Sequence, residues 1–218
     1  MKVAAFLFDL DGTLVDTEAL WTHAIVDFVN ERGGETTYEW ILPNVIGHNW
    51  IDIDRWLHEC FPAIGESSPM EDAVELRRHY EKYAVDPEKM VIKPTAEFFR
   101  KVARLAPCAI VSGSPHEDIV KAAALCGISD CVTLVLGAGE YAAGKPSPSG
   151  FLRAAEILKV KPEECVVIED STVGVASGLA AGMQVLALDR STLVKQNLAG
   201  ARWTAKSLAG FDIGKEFS

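Results

Sequence analysis

The hydrophobic pattern is sharpest at the start of the chain. Residues 3–8 (VAAFLF) are an unbroken apolar run that ends abruptly in Asp9, Leu10, Asp11 and Gly12. A run that short, with Val and Phe prominent, predicts a buried strand. Positions two apart on an extended chain point the same way, so Asp9 and Asp11 are expected in one small volume at the strand's C-terminal end. Gly12 lets the backbone turn sharply just beyond them. An Asp-Gly turn that merely closes a strand fits the same residues. A calcium loop fits less well, because Leu14 stands where that motif needs its glycine.

From about residue 17 to residue 86 the period becomes helical. Apolar positions recur as Leu20, Ala24, Phe28, then Ile53, Trp56, Leu57, then Val74, Leu76, Tyr80, Tyr83. Breaks are expected at 33–34, 43–47 and 62–69, where Gly and Pro cluster, which predicts roughly four helices and no strand. These breaks are equally those of an insert or of ordinary loops within one domain.

Beyond residue 86 strands and helices alternate. A helix is expected over about 94–105, a strand over 108–111, and a helix from Ser114 to about 126. Strands follow at 132–136, 165–168 and 184–188, with helices ending near 158 and 182 and a last short strand at 202–204. Ser114, Pro115 and Glu117 fit a helix cap, a first helical position and a capping box. The alternation predicts a parallel sheet with helices on both faces.

Composition narrows the picture. With 218 residues, 49% of them hydrophobic, the chain suits one large domain or a domain with an insert. A net charge of -10 argues against nucleic acid and anionic membranes as partners. The apolar run at the N-terminus is too short for a secretion signal, and no stretch is long enough to span a bilayer. The five cysteines, at 60, 108, 126, 131 and 165, are odd in number and lack close pairing, so buried reduced thiols in a cytoplasmic protein are expected.

The candidate chemistry lies at the predicted strand ends: Asp9 and Asp11, Ser112 with Gly113, Lys145 in a Gly-Lys-Pro loop, and Glu169 with Asp170. Each has an ordinary structural reading. Ser112 is a turn residue, Lys145 a solvated loop residue, and Asp170 or Ser171 a helix cap. Two observations pull the other way. Ser114 already accounts for the helix cap near Ser112. The adjacent carboxylates of Glu169 and Asp170 repel each other in a way a cation would relieve. A doubly wound sheet brings such edges to one crevice.

Taken in order, DLDGTLVDTE, VSGS, GKPSP and VVIEDSTVG resemble the motifs of the haloacid dehalogenase-like phosphohydrolase superfamily. The helical stretch behind the first motif resembles the subgroup with a helical cap, which holds beta-phosphoglucomutase-like enzymes and hexose phosphate phosphatases. The resemblance implies an α/β fold, a doubly wound parallel sheet (Rossmann-like core) with an inserted helical cap domain. The implied segments are core 1–16, cap 17–90 and core 91–218.

It further implies a Mg2+-dependent phosphatase acting on a small phosphate monoester, a sugar phosphate in the first instance, through an aspartyl-phosphate. In that pattern Asp9 is the nucleophile and Asp11 the general acid and base. Ser112, Gly113 and Lys145 hold the phosphoryl oxygens. The metal falls to Asp9, the carbonyl of Asp11, Asp170 and, directly or through water, Glu169. His48, Asn49, Trp50 and Arg78, with Arg77 beside it, are the expected substrate contacts of the cap. The expected partner is a small phosphorylated metabolite, and the expected state a monomer or weak dimer.

A phosphomutase of the beta-phosphoglucomutase type is the alternative. Those enzymes carry a His on the first cap helix and an Arg in the cap loop, where this chain has Trp21 and Trp50. Dehalogenase and phosphonate-hydrolase chemistry fit poorly with Asp11, Glu169 and Asp170 all present. A binding module on a decayed enzyme fold would have lost Asp9 or Lys145, and both are here.

Overall fold

Residues 5–8 form the expected strand, β1 (Ala5–Phe8), buried along its whole length. Its side chains alternate between two cores: Phe6 and Phe8 enter one apolar cluster, Ala5 and Leu7 another. A strand apolar on both faces must lie in a sheet covered on both faces. In this computed structural model, which describes residues 3–190 and 194–212, it does. Parts of the expected core segments, at 1–2, 191–193 and 213–218, lie outside the described residues.

The other strands are β2 (Cys108–Val111), β3 (Leu134–Leu136), β4 (Cys165–Glu169), β5 (Gln184–Leu188) and β6 (Trp203–Ala205). The sheet runs β3-β2-β1-β4-β5-β6 and every neighbouring pair is parallel. The strand order reverses between β1 and β4, and the crevice at the C-terminal edge of such a switch point is where open α/β sheets bind ligands. Asp9 and Asp11 leave β1 there, and Glu169 and Asp170 end β4 there.

Before β2 comes α5 (Lys93–Val102), and after it α6 (His116–Leu125); they bring Phe98, Phe99 and Ile119 onto the Phe6–Phe8 side. On the other face, α7 (Ser149–Leu158) and α8 (Thr172–Ala180) bring Phe151, Ala154 and Val175 onto Leu7. Phe8 and Phe99 lie with ring centroids 4.5 Å apart, an aromatic contact that pins α5 to the centre of the sheet.

Between β1 and α5 the chain forms four α-helices: α1 (Glu18–Glu31), α2 (Tyr38–Val45), α3 (Trp50–Cys60) and α4 (Pro69–Tyr83). Their inward stripes, among them Ile25, Phe28, Ile41, Leu57, Leu76 and Tyr80, make a third apolar cluster separate from those of the sheet. Two chain crossings tie this helical unit to the sheet. Residues near Val15 and Val91 bridge antiparallel, with Asp16 N donating to Met90 O at 2.7 Å and Ile92 N to Leu14 O at 2.9 Å. Paired linkers of this kind let the cap sit over the crevice in a defined orientation.

Several sequence expectations need correction. Pro43 does not break the helix but lies inside α2, and the chain turns later, through Ile46 to Asn49. Val74, expected on an inward stripe, is exposed, because α4 buries Leu76, His79 and Tyr80 instead. The third strand begins at Leu134 rather than 132. Cys108, Cys126 and Cys165 are buried free thiols as expected, but Cys60 is exposed and Cys131 partly so. Among the described residues no helix is long and apolar enough to cross a membrane.

Candidate active site

At the switch point the charged groups interlock. The Lys145 ammonium donates to Asp9 Oδ1 and, at 2.5 Å, to Glu169 Oε1. All three side chains are at least nine-tenths buried. Burial works against the lysine's charge, but Asp9 and Glu169 overcome it and hold Lys145 above its ordinary value. Asp9 is pushed well up by burial, against the pull of Lys145, with Glu169, Asp170 and Asp11 adding repulsion.

The second carboxylate oxygen of Glu169 is equally committed. Its Oε2 accepts from Asp170 N at 2.8 Å, Ser171 N at 2.9 Å and Ser171 Oγ at 3.0 Å. Glu169 therefore serves as the counter-ion that fixes Lys145 and shapes the turn after β4. Ser171, not Asp170, caps α8, accepting from Gly174 N at 3.1 Å. That leaves the Asp170 carboxylate out of the helix cap, and Thr13 Oγ1 donates to it at 2.9 Å beside Asp9 and Glu169. Burial, then Glu169 and Glu18, push Asp170 well above its ordinary value.

Asp11 is oriented by hydroxyls. Thr17 Oγ1 donates to its Oδ1 at 2.5 Å, while Ser114 Oγ at 2.8 Å and Ser112 Oγ at 3.3 Å donate to Oδ2. This corrects the reading of Ser114 as a helix cap: α6 starts after Pro115 without a side-chain cap, and the hydroxyl serves Asp11. Ser112 also has a structural task, its Oγ accepting from Ser114 N at 3.0 Å. Tyr141 adds to the frame by donating to Ser112 O at 2.8 Å.

The carboxylates of Asp9, Glu169 and Asp170 offer oxygens all within 4.8 Å of one another. Buried carboxylates at that spacing, two of them driven toward protonation, suit a hard divalent cation with oxygen ligands. The residues present therefore fit Mg2+.

Above this floor lies a cleft of about 560 Å³ between sheet and cap. His48, Asn49 and Trp50 line it, as does Arg77. Arg78 is exposed and points away from the cleft lining; its neighbour Arg77 reaches in and ion-pairs with Asp118 of α6. Asn49 is wedged against the sheet loops. A Cβ added at Gly144 would fall 2.2 Å from Asn49 Nδ2, and one at Gly113 would fall 3.0 Å from Asn49 Cβ. Glycine at both positions is what lets the cap loop close down on the site.

Residues 3–182 match the family described as haloacid dehalogenase-like hydrolase. The chain belongs to that family. Among its relatives, hexitol phosphatase A of Escherichia coli (strain K12) is 31% identical over 191 residues, 87% of this chain and 84% of that one. The bifunctional riboflavin kinase/FMN phosphatase of Arabidopsis thaliana is 29% identical over 187 residues, 84% of this chain. That match spans 47% of the Arabidopsis protein. The structure is similar to beta-phosphoglucomutase from Clostridium difficile, with TM-score 0.82 at 22% identity, covering 96% of this chain and 93% of that one. At that identity the likeness speaks for the fold. As a haloacid dehalogenase-like hydrolase with phosphatase relatives, the chain is read as a phosphatase or phosphomutase.

Several functional neighbours escaped the sequence reading. Thr13, Thr17 and Glu18 sit inside the first motif, and their positions beside Asp9 and Asp11 were the available signal. Glu18 lines the cleft, and burial with Asp11, Asp9 and Asp16 nearby raises its carboxyl to about 8.

Proposed function

We propose that this protein is a Mg2+-dependent phosphatase that hydrolyses a small phosphate monoester, a sugar phosphate in the first instance, through an aspartyl-phosphate on Asp9. The observation that carries the reading is the convergence at one sheet edge. Asp9 is gripped by Lys145, Asp11 is steered by hydroxyls, and Asp170 is held beside them by Thr13.

Each residue has a defined task. An Asp9 carboxylate oxygen attacks phosphorus as the ester oxygen departs, leaving a mixed anhydride on the enzyme. Asp11 gives its proton to the departing oxygen, so the leaving group exits as an alcohol. Asp11, now a carboxylate, takes a proton from water, and that water attacks the anhydride phosphorus to release inorganic phosphate and restore Asp9. Thr17, Ser112 and Ser114 hold Asp11 in one orientation for both transfers. Lys145 and the Ser112–Gly113 turn receive the phosphoryl oxygens, and Glu169 keeps Lys145 in place.

A bound Mg2+ neutralises phosphoryl charge in such sites, and Asp9, Asp170, the Asp11 carbonyl and Glu169, directly or through water, would hold it. The cap loop bearing Asn49 closes the crevice and excludes bulk water. Relatives named as a hexitol phosphatase and an FMN phosphatase support ester hydrolysis here too. The test is phosphate release from a panel of phosphorylated metabolites, with and without chelator. A folded, metal-loaded enzyme that releases phosphate from none of them would refute the reading.

A further inference from the structure

The walls of the cleft differ from its floor. The floor is ionic, while the cap side is lined by Trp21, Ile25, Ile53, Leu76, Tyr80 and Met90. Trp21 stacks on Tyr80 with centroids 4.0 Å apart and planes 26° apart, and it stays partly exposed. The pair forms a rigid two-ring wall.

The polar groups of the cap that reach the cleft are mostly spoken for. Asn49 closes on Asp52, accepting from its N at 3.1 Å and donating to its Oδ2 at 2.6 Å. The Trp50 indole donates to Pro69 O at 2.7 Å. Arg77 is neutralised by Asp118, and its guanidinium carbon lies 5.4 Å from the Trp21 ring centroid. Glu18 remains near the ionic floor and His48 at the exposed rim. A leaving group made only of hydroxyls would lose water against this wall and gain few hydrogen bonds. The faces of a flat ring would instead displace water from apolar and aromatic surface, leaving only its edge atoms in need of water or a partner.

Building on the phosphatase reading, we propose that the natural substrate is a sugar phosphate carrying a planar heterocycle, as a nucleoside 5′-monophosphate or a flavin mononucleotide does, and that Trp21 selects it by stacking. The cleft volume of about 560 Å³ leaves room for such a ring beyond the sugar and lies in the range of sites that enclose whole ligands. Lys145 is the buried cation on the floor, and the other Lys and Arg that line the cleft, Arg77 and Lys121, share the Asp118 carboxylate nearer its rim.

The test compares kcat/KM of the Mg2+-loaded full chain for uridine 5′-monophosphate, flavin mononucleotide, ribose 5-phosphate and glucose 6-phosphate. Ribose 5-phosphate has the phosphate and sugar without the ring, so it isolates the ring's contribution. At least one ring-bearing ester should exceed it by about tenfold or more, the usual worth of one aromatic stack. Trp21→Ala should collapse that ratio toward one, and Trp21→Phe should keep most of it. Titration with riboflavin and uridine, which carry no phosphate, should quench protein fluorescence in wild type and less in Trp21→Ala. Ribose 5-phosphate or glucose 6-phosphate turned over as well as the ring-bearing esters would overturn the proposal and leave the phosphatase reading intact. Equal losses on all esters in Trp21→Ala would also overturn it, since that marks a packing role. Absence of release from every ester would overturn both readings together.

Discussion

Gly12 and Asp170 approach so closely that a Cβ on Gly12 would fall 2.2 Å from Asp170 Oδ2. Gly12 also has φ +81°, a left-handed conformation costly for other residues. Replacing it therefore acts on both the backbone and the carboxylate proposed to hold the cation. Gly12→Ala should lower stability by about 1–3 kcal/mol, from strain and displacement. Activity should fall further than stability explains, and half-saturation with Mg2+ should rise. Urea unfolding and a metal titration read the two effects separately. An unchanged metal requirement would show that Asp170 does not serve the cation.

Asp9→Asn should keep the fold, because the amide oxygen still accepts from Lys145, yet it cannot carry the phosphoryl group. Turnover should drop by about a thousandfold or more. Circular dichroism checks the fold and phosphate release checks the chemistry. Substantial residual turnover in a clean preparation would sink the proposed nucleophile.

The crowded carboxylates predict a pH signature. Burial raises Glu18 from 4.5 to about 8, with help from Asp11 and Asp9, and Asp9 and Asp170 are raised too. A carboxyl with a raised folded pKa favours the folded state below its unfolded pKa and loses that contribution as pH climbs through the folded value. The metal-free protein should thus lose stability from about pH 4.5 toward pH 8. A divalent cation substitutes for the missing protons. The Mg2+-induced rise in Tm should be larger at about pH 8 than at about pH 5.5, and chelator should abolish turnover. Equal thermal shifts at both pH values would contradict the assignment.

A second carboxylate pair, in the cap, predicts stability effects of opposite sign. Asp54 Oδ1 is buried and among the described residues has no hydrogen-bond partner; burial, then Asp72, raises Asp54 from 3.8 to about 6. Burial also opposes charge on Asp72, but His58 at 2.8 Å, Ser67 at 2.8 Å and Arg32 at 2.9 Å hold it below its ordinary value. The stability tied to Asp54 is lost as pH rises from about 4 to about 6. Asp54→Asn should therefore stabilise the protein by about 1 kcal/mol near pH 7 and by less near pH 4. Asp72→Asn should destabilise it at neutral pH, leaving Arg32 with a weaker partner. Tm against pH for both variants decides, and destabilisation by Asp54→Asn at pH 7 would refute the picture.

What could be read beforehand depended on how local each feature was. Asp9, Asp11 and Asp170 were legible because an apolar run that stops at carboxylates marks a strand end, and strand ends gather at one edge. Ser114 was misread because its partner Asp11 lies far away in the chain, while the cap signal is local and competes for the same hydroxyl. Arg77 and Arg78 were both expected at the cleft, and of the two Arg77 lines it, for a related reason. Adjacent helix positions point about 100° apart. The face turned to the cleft is decided by how α4 packs on α1, which no local pattern records. Pro43 sat inside a helix because tertiary packing of Ile41, Leu42 and Val45 outweighed one missing hydrogen bond.

The last prediction separates hydrolysis from phosphomutase chemistry on this shared fold. A mutase must keep its aspartyl-phosphate from water until a second sugar phosphate binds, and it must grip a second phosphate. In the resembling mutases a His on the first cap helix and an Arg in the cap loop do this. Here Trp21 is packed on Tyr80, and the Trp50 indole is spent on Pro69 O. Neither can shuttle a proton or neutralise an anion. Beyond Lys145, the Lys and Arg that line the cleft are Arg77 and Lys121, and both are paired with Asp118. Asp11, meanwhile, is held in place by hydrogen bonds from Thr17 and Ser114. Water should therefore intercept the phosphoenzyme. Supplied with beta-glucose 1-phosphate and catalytic glucose 1,6-bisphosphate, the enzyme should release phosphate from the sugars faster than it forms glucose 6-phosphate. Isomerisation outpacing release would establish the mutase. Restoring the mutase pair with Trp21→His and Trp50→Arg should shift the ratio toward isomerisation, a gain that a purely structural role for the two tryptophans does not predict.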